Sequence, residues 1–193
     1  IVLLVRKKNS ASAAPAKGFD TQALVYGAMC VSLAFVLSYL RFFRMPQGGS
    51  ITPASMLPII AYAYWYGAGK GAIVGLAYAV LQMIQDAYFV HPAQILLDYI
   101  LAFGLLSLAG LFRRNLLAGT VVACIARFIC HFVSGAIFFG EYAAPGQSVW
   151  AYSLGYQAGY LLPDFAICIL AAVLLWKVID RLRPSGARLK AAA

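Results

Sequence analysis

The charged residues of this chain leave long gaps, and those gaps constrain its fold more than any other feature. Stretches of helix length are almost free of charge, and they are separated by short clusters such as Arg41 with Arg44, Arg113 with Arg114, and Lys177 with Arg181 and Arg183. Only 11% of residues are charged and 63% are hydrophobic, with a mean hydropathy of +0.83. A soluble domain carries about twice that charge fraction. The pattern is that of an integral membrane protein. Its apolar runs are too long for the alternating strands of an outer-membrane barrel, so the fold class is all-α.

Six transmembrane helices can be laid down, at residues 20–43, 54–66, 72–85, 92–112, 115–139 and 150–179. Asp20 or Thr21 suits the first N-cap, Pro92 suits the first turn of the fourth span, and Pro163 is expected to kink the sixth. Spans two and three are short for a hydrocarbon core that needs about 20 residues, so they must tilt, extend or lie over each other. Residues 41–53 contain Pro46, Gly48, Gly49 and Pro53, which rule out regular helix and leave a permissive loop able to cover a site. The glycine-rich segment 67–71 reads as a tight turn holding Lys70.

Lysine and arginine counts set the orientation. With both termini cytoplasmic, the inner side holds Arg6, Lys7, Lys8, Lys17, Lys70, Arg113, Arg114, Lys177, Arg181, Arg183, Arg188 and Lys190. Only Arg41 and Arg44 fall outside, and Arg127 stays in the membrane. Residues 20–183 form the membrane domain; residues 1–19 and 184–193 read as cytoplasmic tails. Ile1–Val5 is too short and precedes the charges, so the start is not a signal peptide. The net charge of +9 is explained by these flanking positions. No basic face with interleaved aromatics points to nucleic acid.

Two features bear on function. The first is a charged layer within the membrane. At 1.5 Å per residue from the cytoplasmic helix ends, Asp98, Arg127 and Asp164 all lie roughly 18–21 Å deep, on three different spans. Ionisable groups at such depth are costly and face an interior cavity. His131 lies four residues beyond Arg127 on the same helical face, Gly135 leaves a gap one turn further, and Phe138 and Phe139 close the helix. If both aspartates ionise, the layer is one positive charge short of neutral. The competing arrangement is a structural Asp164–Arg127 pair with Asp98 capped by a tyrosine. Tyr88, Tyr99, Tyr152 and Tyr156 surround the layer, and aromatic faces beside carboxylates suit a flat cationic ring. Tyr62, Tyr64, Trp65 and Tyr66 read instead as an interfacial belt.

The second feature is the run of small residues in span one, Ala23, Gly27, Ala28, Ser32 and Ala34. Such spacing lets another helix approach closely, either within the chain or from a partner. The four cysteines, Cys30, Cys124, Cys130 and Cys168, fall in apolar runs without a C-x-x-C pair and read as small buried hydrophobes. No nucleophile elbow, zinc-protease or nucleotide-binding sequence is present.

Four segments together carry a resemblance: residues 45–58 (MPQGGSITPASMLP), 91–99 (HPAQILLDY), 127–135 (RFICHFVSG) and 152–163 (YSLGYQAGYLLP). In this order they resemble the thiamine-specific S component of energy-coupling-factor (ECF) transporters. The resemblance covers about residues 21–183. It implies six helices and a thiamine pocket near the outer surface. It further implies coupling to a transmembrane T component and two ABC ATPases, in the lipid of the cell membrane of a Gram-positive-type bacterium. Thiamine is then the transported ligand, with no cofactor and no catalytic activity.

Carried over residue by residue, the family's ligand contacts become Asp98 and Tyr99 (Asp in place of Glu), Arg127 (in place of Lys), His131, Tyr152, Gln157 (in place of Asn) and Tyr88. A stacking tryptophan maps onto Phe139, although helical phase alone favours Phe138. The family's loop tryptophan has no counterpart, with Phe42, Phe43 or Met45 as substitutes. Span one, with Ala23, Gly27, Ala28, Ser32 and Ala34, is then free to dock the T component. The alternatives are an S component for another vitamin or a thiamine precursor, an intramembrane enzyme using Asp98, His131 and Asp164, and a structural subunit without a ligand.

Overall fold

The computed structural model describes residues 20–88, 90–185 and 187; the tail read at residues 1–19, and residues 186 and 188–193 of the tail read at 184–193, lie outside them. Six helices follow one another: α1 (Thr21–Tyr39), α2 (Leu57–Tyr66), α3 (Ala68–Asp86), α4 (Leu96–Leu111), α5 (Leu116–Phe138) and α6 (Val149–Arg181). The protein is an all-helical membrane protein, as its hydropathy pattern requires. Three of these helices, α1, α5 and α6, are long and apolar enough to cross a membrane. The Asp20 side chain caps α1 by accepting from Ala23 N at 2.6 Å, and Asn115 caps α5 by accepting from Ala118 N at 3.0 Å. Both are the short polar side chains that satisfy a first-turn amide. The sixth helix runs unbroken through Pro163.

The shortest helix is the innermost. At 10 residues, α2 reaches only about 15 Å, half the hydrocarbon thickness. Every residue from Leu57 to Trp65 is buried. Its sequence is apolar on all sides, which is what a helix enclosed by others requires. The aromatic residues read as an interfacial belt are therefore mostly interior. Tyr62 is 0% exposed and donates to Ala23 O at 3.1 Å, and Trp65 Nε1 donates to Ile179 O at 2.9 Å. Burial without such partners would cost several kcal/mol per group. The expected 67–71 turn is likewise reduced to Gly67, which has φ +90°. Lys70 already lies in the first turn of α3, 3.9 Å from Asp20.

The small residues of α1 do not form one strip. Ala23, Gly27 and Ala34 are buried and serve internal packing. An added Cβ on Gly27 would sit 3.1 Å from Val74 of α3. Ala28 and Ser32 are exposed on the other side. Glycine also brings α3 onto α4, where a Cβ on Gly75 would lie 2.5 Å from Phe103 O. All four cysteines are buried and free.

Candidate binding site

One cavity opens among the ends of α3 to α6, and all eight sequence-predicted contact residues line it: Tyr88, Asp98, Tyr99, Arg127, His131, Phe139, Tyr152 and Gln157. Asp98 lies in a π-helical turn, Leu96–Leu101, that opens α4. Wide turns of this kind shift helical phase and recur at functional sites. The Asp98 carboxylate accepts from Gln94 Nε2 at 2.7 Å, Ser134 Oγ at 2.8 Å and His131 Nδ1 at 3.0 Å. Arg127 Nε donates to His131 Nε2 at 3.3 Å. A guanidinium only donates, so Nε2 accepts and the imidazole proton sits on Nδ1, facing Asp98. The column Arg127–His131–Asp98 is thus ordered by hydrogen-bond polarity.

Asp98, Arg127 and Asp164 all line this cavity, but the competing Asp164–Arg127 pair is not formed. Asp164 accepts from Thr52 N at 2.8 Å and Thr52 Oγ1 at 2.9 Å, not from Arg127. Among the described residues Arg127 forms no ion pair; its guanidinium lies over the Phe103 ring, 4.4 Å from the centroid. Asp98 is held by Gln94, Ser134 and His131 rather than by a tyrosine. Tyr99 turns its hydroxyl to the loop after α3, accepting from Tyr88 N at 3.1 Å and donating to Asp86 O at 3.4 Å. Of the three residues in the enzyme alternative, Asp98 and His131 bond each other, whereas Asp164 bonds Thr52.

Gly135 opens no hole for a ligand. Any Cβ there would collide with Ser153 Oγ and Gln157 Nε2 of α6, and Ser153 Oγ donates to Phe132 O at 2.7 Å. The glycine lets α6 press against α5. Gln157 reaches the cavity as a result, and its Oε1 is buried with no hydrogen-bond partner among the described residues.

The helix end resolves the choice of phenylalanine. α5 stops at Phe138, which stacks on His91 at 5.5 Å and 13°. Phe139 has left helical geometry, with φ −117° and ψ 16°. Helical phase no longer applies to it, and it stacks on Tyr88 at 6.1 Å and 18° on the cavity wall. Tyr152, Tyr156 and Tyr160 line the opposite side in a row, 6.0 and 6.1 Å apart.

The 41–53 loop is a small hairpin, β1 (Phe43–Arg44) against antiparallel β2 (Ser50–Ile51). Gly48 and Gly49 turn it with φ +86° and +93°, a backbone region that glycine enters freely. It contributes Gln47, Gly48, Gly49, Ser50 and Thr52 to the cavity, and no aromatic ring. Phe42 and Phe43 are exposed, and neither they nor Met45 line the cavity. Tyr156 OH bridges the tip, accepting from Gln47 N at 2.9 Å and donating to Gly48 O at 3.0 Å. Asp86 receives both outer arginines, Arg41 at 2.5 Å and Arg44 at 2.6 Å. In the loop beyond α5, a hydroxyl bond with Tyr88 pushes the Tyr142 phenol above its ordinary range. Sequence reasoning missed Thr52, Ser134 and Ser153. Each is a small hydroxyl residue, Thr52 at a loop end and Ser134 and Ser153 within apolar helices, and nothing local marks it as a partner for a distant carboxylate or carbonyl.

Comparison with known proteins places the chain. The family model of the thiamine transporter protein (Thia_YuaJ) matches residues 24–183. The thiamine transporter ThiT of Bacillus subtilis is 33% identical over 181 residues, covering 84% of this chain and 94% of that protein. ThiT of Lacticaseibacillus paracasei is 28% identical over 147 residues, covering 66% and 73%. The solved structure of ThiT from Listeria monocytogenes superposes with a TM-score of 0.74 at 23% identity, covering 83% of this chain and 96% of that one, and so shares the fold. By family model and by identity over most of its length, this chain belongs to the thiamine transporter protein family.

Proposed function

We propose that this chain captures thiamine in the cavity between α3 and α6 and serves as the substrate-binding S component of thiamine uptake. The observation that carries the reading is the combination on one cavity wall. A carboxylate (Asp98), a buried amide oxygen without a partner (Gln157) and two sets of ring faces meet there. Thiamine offers a thiazolium ring with one fixed positive charge and an aminopyrimidine ring that donates hydrogen bonds. A single cation beside Asp98 also balances the layer if Asp98 and Asp164 are both ionised against Arg127. Stacked aromatic pairs such as Tyr88–Phe139 and Tyr152–Tyr156 suit flat rings. Tyr88, Asp98, Arg127, His131, Phe139, Tyr152 and Gln157 are the proposed contacts, with Tyr99 acting through the loop it holds.

In this reading the chain is a multi-pass protein of the plasma membrane with both termini inside. It works with an ECF T component and two ABC ATPases that supply the energy. Ala28 and Ser32, exposed on α1, remain the candidate contacts with the T component. Isothermal titration of the detergent-solubilised protein tests the reading. Thiamine is expected to bind, and Asp98→Asn to weaken it by about 2 kcal/mol or more, because the change removes a charged acceptor from a desolvated site. Absence of heat with thiamine, or tighter binding of the aminopyrimidine precursor alone, would overturn the choice of ligand.

A further inference from the structure

We infer that Gln94 is a positioning residue that ties the Asp98 carboxylate to the loop carrying Tyr88, so that the charged end and the aromatic wall of the site form as one unit. The inference rests on the proposed binding of thiamine at Asp98. Gln94 is 2% exposed, and both ends of its amide are engaged. Its Oε1 accepts from Val90 N at 2.9 Å. Its Nε2 donates to Asp98 Oδ2 at 2.7 Å and to Tyr88 O at 3.3 Å. One side chain therefore holds the loop at two backbone points, two residues apart, while orienting the carboxylate one helical turn beyond it.

The remaining restraints on the loop make this tie decisive. Tyr99 OH binds Tyr88 N and Asp86 O, so Gln94, just before α4, and Tyr99, in its first turns, grip the loop together. The Tyr88 ring, stacked on Phe139, is placed by that backbone. Without Gln94, the Asp98 carboxylate would keep Ser134 and His131, but the link between it and the 88–90 backbone would be lost, leaving Tyr88 held by Tyr99 and Phe139. An amide is the required group because it accepts from one partner and donates to two others at the same time. Neither a carboxylate nor a hydrocarbon of the same length does both.

Three variants and two readouts test the inference. In ligand-free protein, Gln94→Ala is expected to raise hydrogen exchange at the Val90 amide at least about ten-fold, as a backbone donor loses its acceptor. For thiamine, the same variant is expected to lose about ten-fold in affinity, mostly as faster release. Gln94→Glu provides the control against simple misfolding. Deprotonated, the introduced carboxyl repels Asp98 and cannot donate; protonated, it accepts from Val90 N and donates to Asp98. Its affinity deficit relative to wild type is expected to shrink at least three-fold on lowering the pH from 8 to 5.5.

Taking the ratio to wild type at each pH removes the ionisable groups that do not touch position 94 and leaves the coupled titration of the introduced carboxyl with Asp98. The groups removed are His131 and Arg127 on the Asp98 side, Tyr88 and Tyr99 on the loop, and Asp86 with Arg41 and Arg44 at its start. Gln94→Leu keeps the volume and is expected to behave as Gln94→Ala. Wild-type affinity and wild-type Val90 exchange in Gln94→Ala would overturn the inference, as would a Gln94→Glu deficit that does not change with pH. Failure of the wild type to bind thiamine would overturn the functional reading instead, while the exchange measurement would still judge the tie.

Discussion

Phe138 and Phe139 show how one residue step decides which side chain meets a ligand. On an extended helix the phase from Arg127 and His131 selects Phe138. The chain leaves helical geometry at Phe139, and this rotates Phe139 onto the cavity wall and Phe138 onto His91. Phe139→Ala is therefore expected to weaken thiamine binding about ten-fold or more through the lost ring face. Phe138→Ala is expected to change it by less than about three-fold, since it removes a contact outside the cavity. Titration of both variants decides the matter, and the reverse order would mean that the α5 terminus is helical one residue further. At this scale the sequence is a good guide to chemistry. Asp98, His131 and Gln157 are legible because polar groups are rare in apolar spans and costly unless used. Thr52 is not legible, because its partner Asp164 is 112 residues away and threonine is unremarkable at a loop end.

Among the elements, the hairpin β1–β2 borders the cavity through Gln47, Gly48, Gly49 and Ser50. Gly49 lies at φ +93°, and a Cβ there would come within 2.5 Å of the Tyr160 ring. Gly49→Ala combines backbone strain with a clash, each of order 1–3 kcal/mol. It is expected to lower the melting temperature and to speed thiamine release by displacing the hairpin from the cavity. Gly146 has a comparable φ of +81° but open space around it. Gly146→Ala should show only the strain cost, about 1–2 kcal/mol, with an unchanged release rate. Equal release rates for both variants would show that the hairpin does not cover the site. The loop's composition announces an irregular segment through Pro46, Gly48, Gly49 and Pro53. The hairpin's registry and its seat on Tyr156 depend on α6, which no local pattern encodes.

For the whole molecule, α1 has one face packed inside the protein and one exposed. Gly27 and Ala34 pack against α2 and α3, whereas Ala28 and Ser32 face outward. Ala28→Trp and Ser32→Trp are expected to leave thiamine binding in detergent unchanged and to reduce thiamine uptake by cells at least about ten-fold, as a bulky side chain blocks close helix approach. Gly27→Trp, by contrast, is expected to prevent folding, because the space is filled by Val74 and Tyr62. Uptake at the wild-type rate in both outward variants would remove α1 from the docking surface. Loss of binding in step with uptake would mean that this face, too, is internal.

The sequence by itself determined the membrane class, the six helices to within a few residues and the grouping of Asp98, Arg127 and Asp164, which line one cavity. It also determined the chemical character of the site. These depend on hydropathy along the chain and on rise per residue, which are local quantities. Only the tertiary structure decided that Asp164 bonds Thr52 and not Arg127, and that α2 is the enclosed helix with its tyrosines turned inward. Packing likewise filled the gap beside Gly135 with Ser153 and Gln157 and divided the small residues of α1 between two faces. The physical reason is the same in each case. Spacing fixes where a side chain stands along and around its own helix, but its partner is set by the rotation and tilt of every neighbouring helix, and those are fixed by packing all six at once.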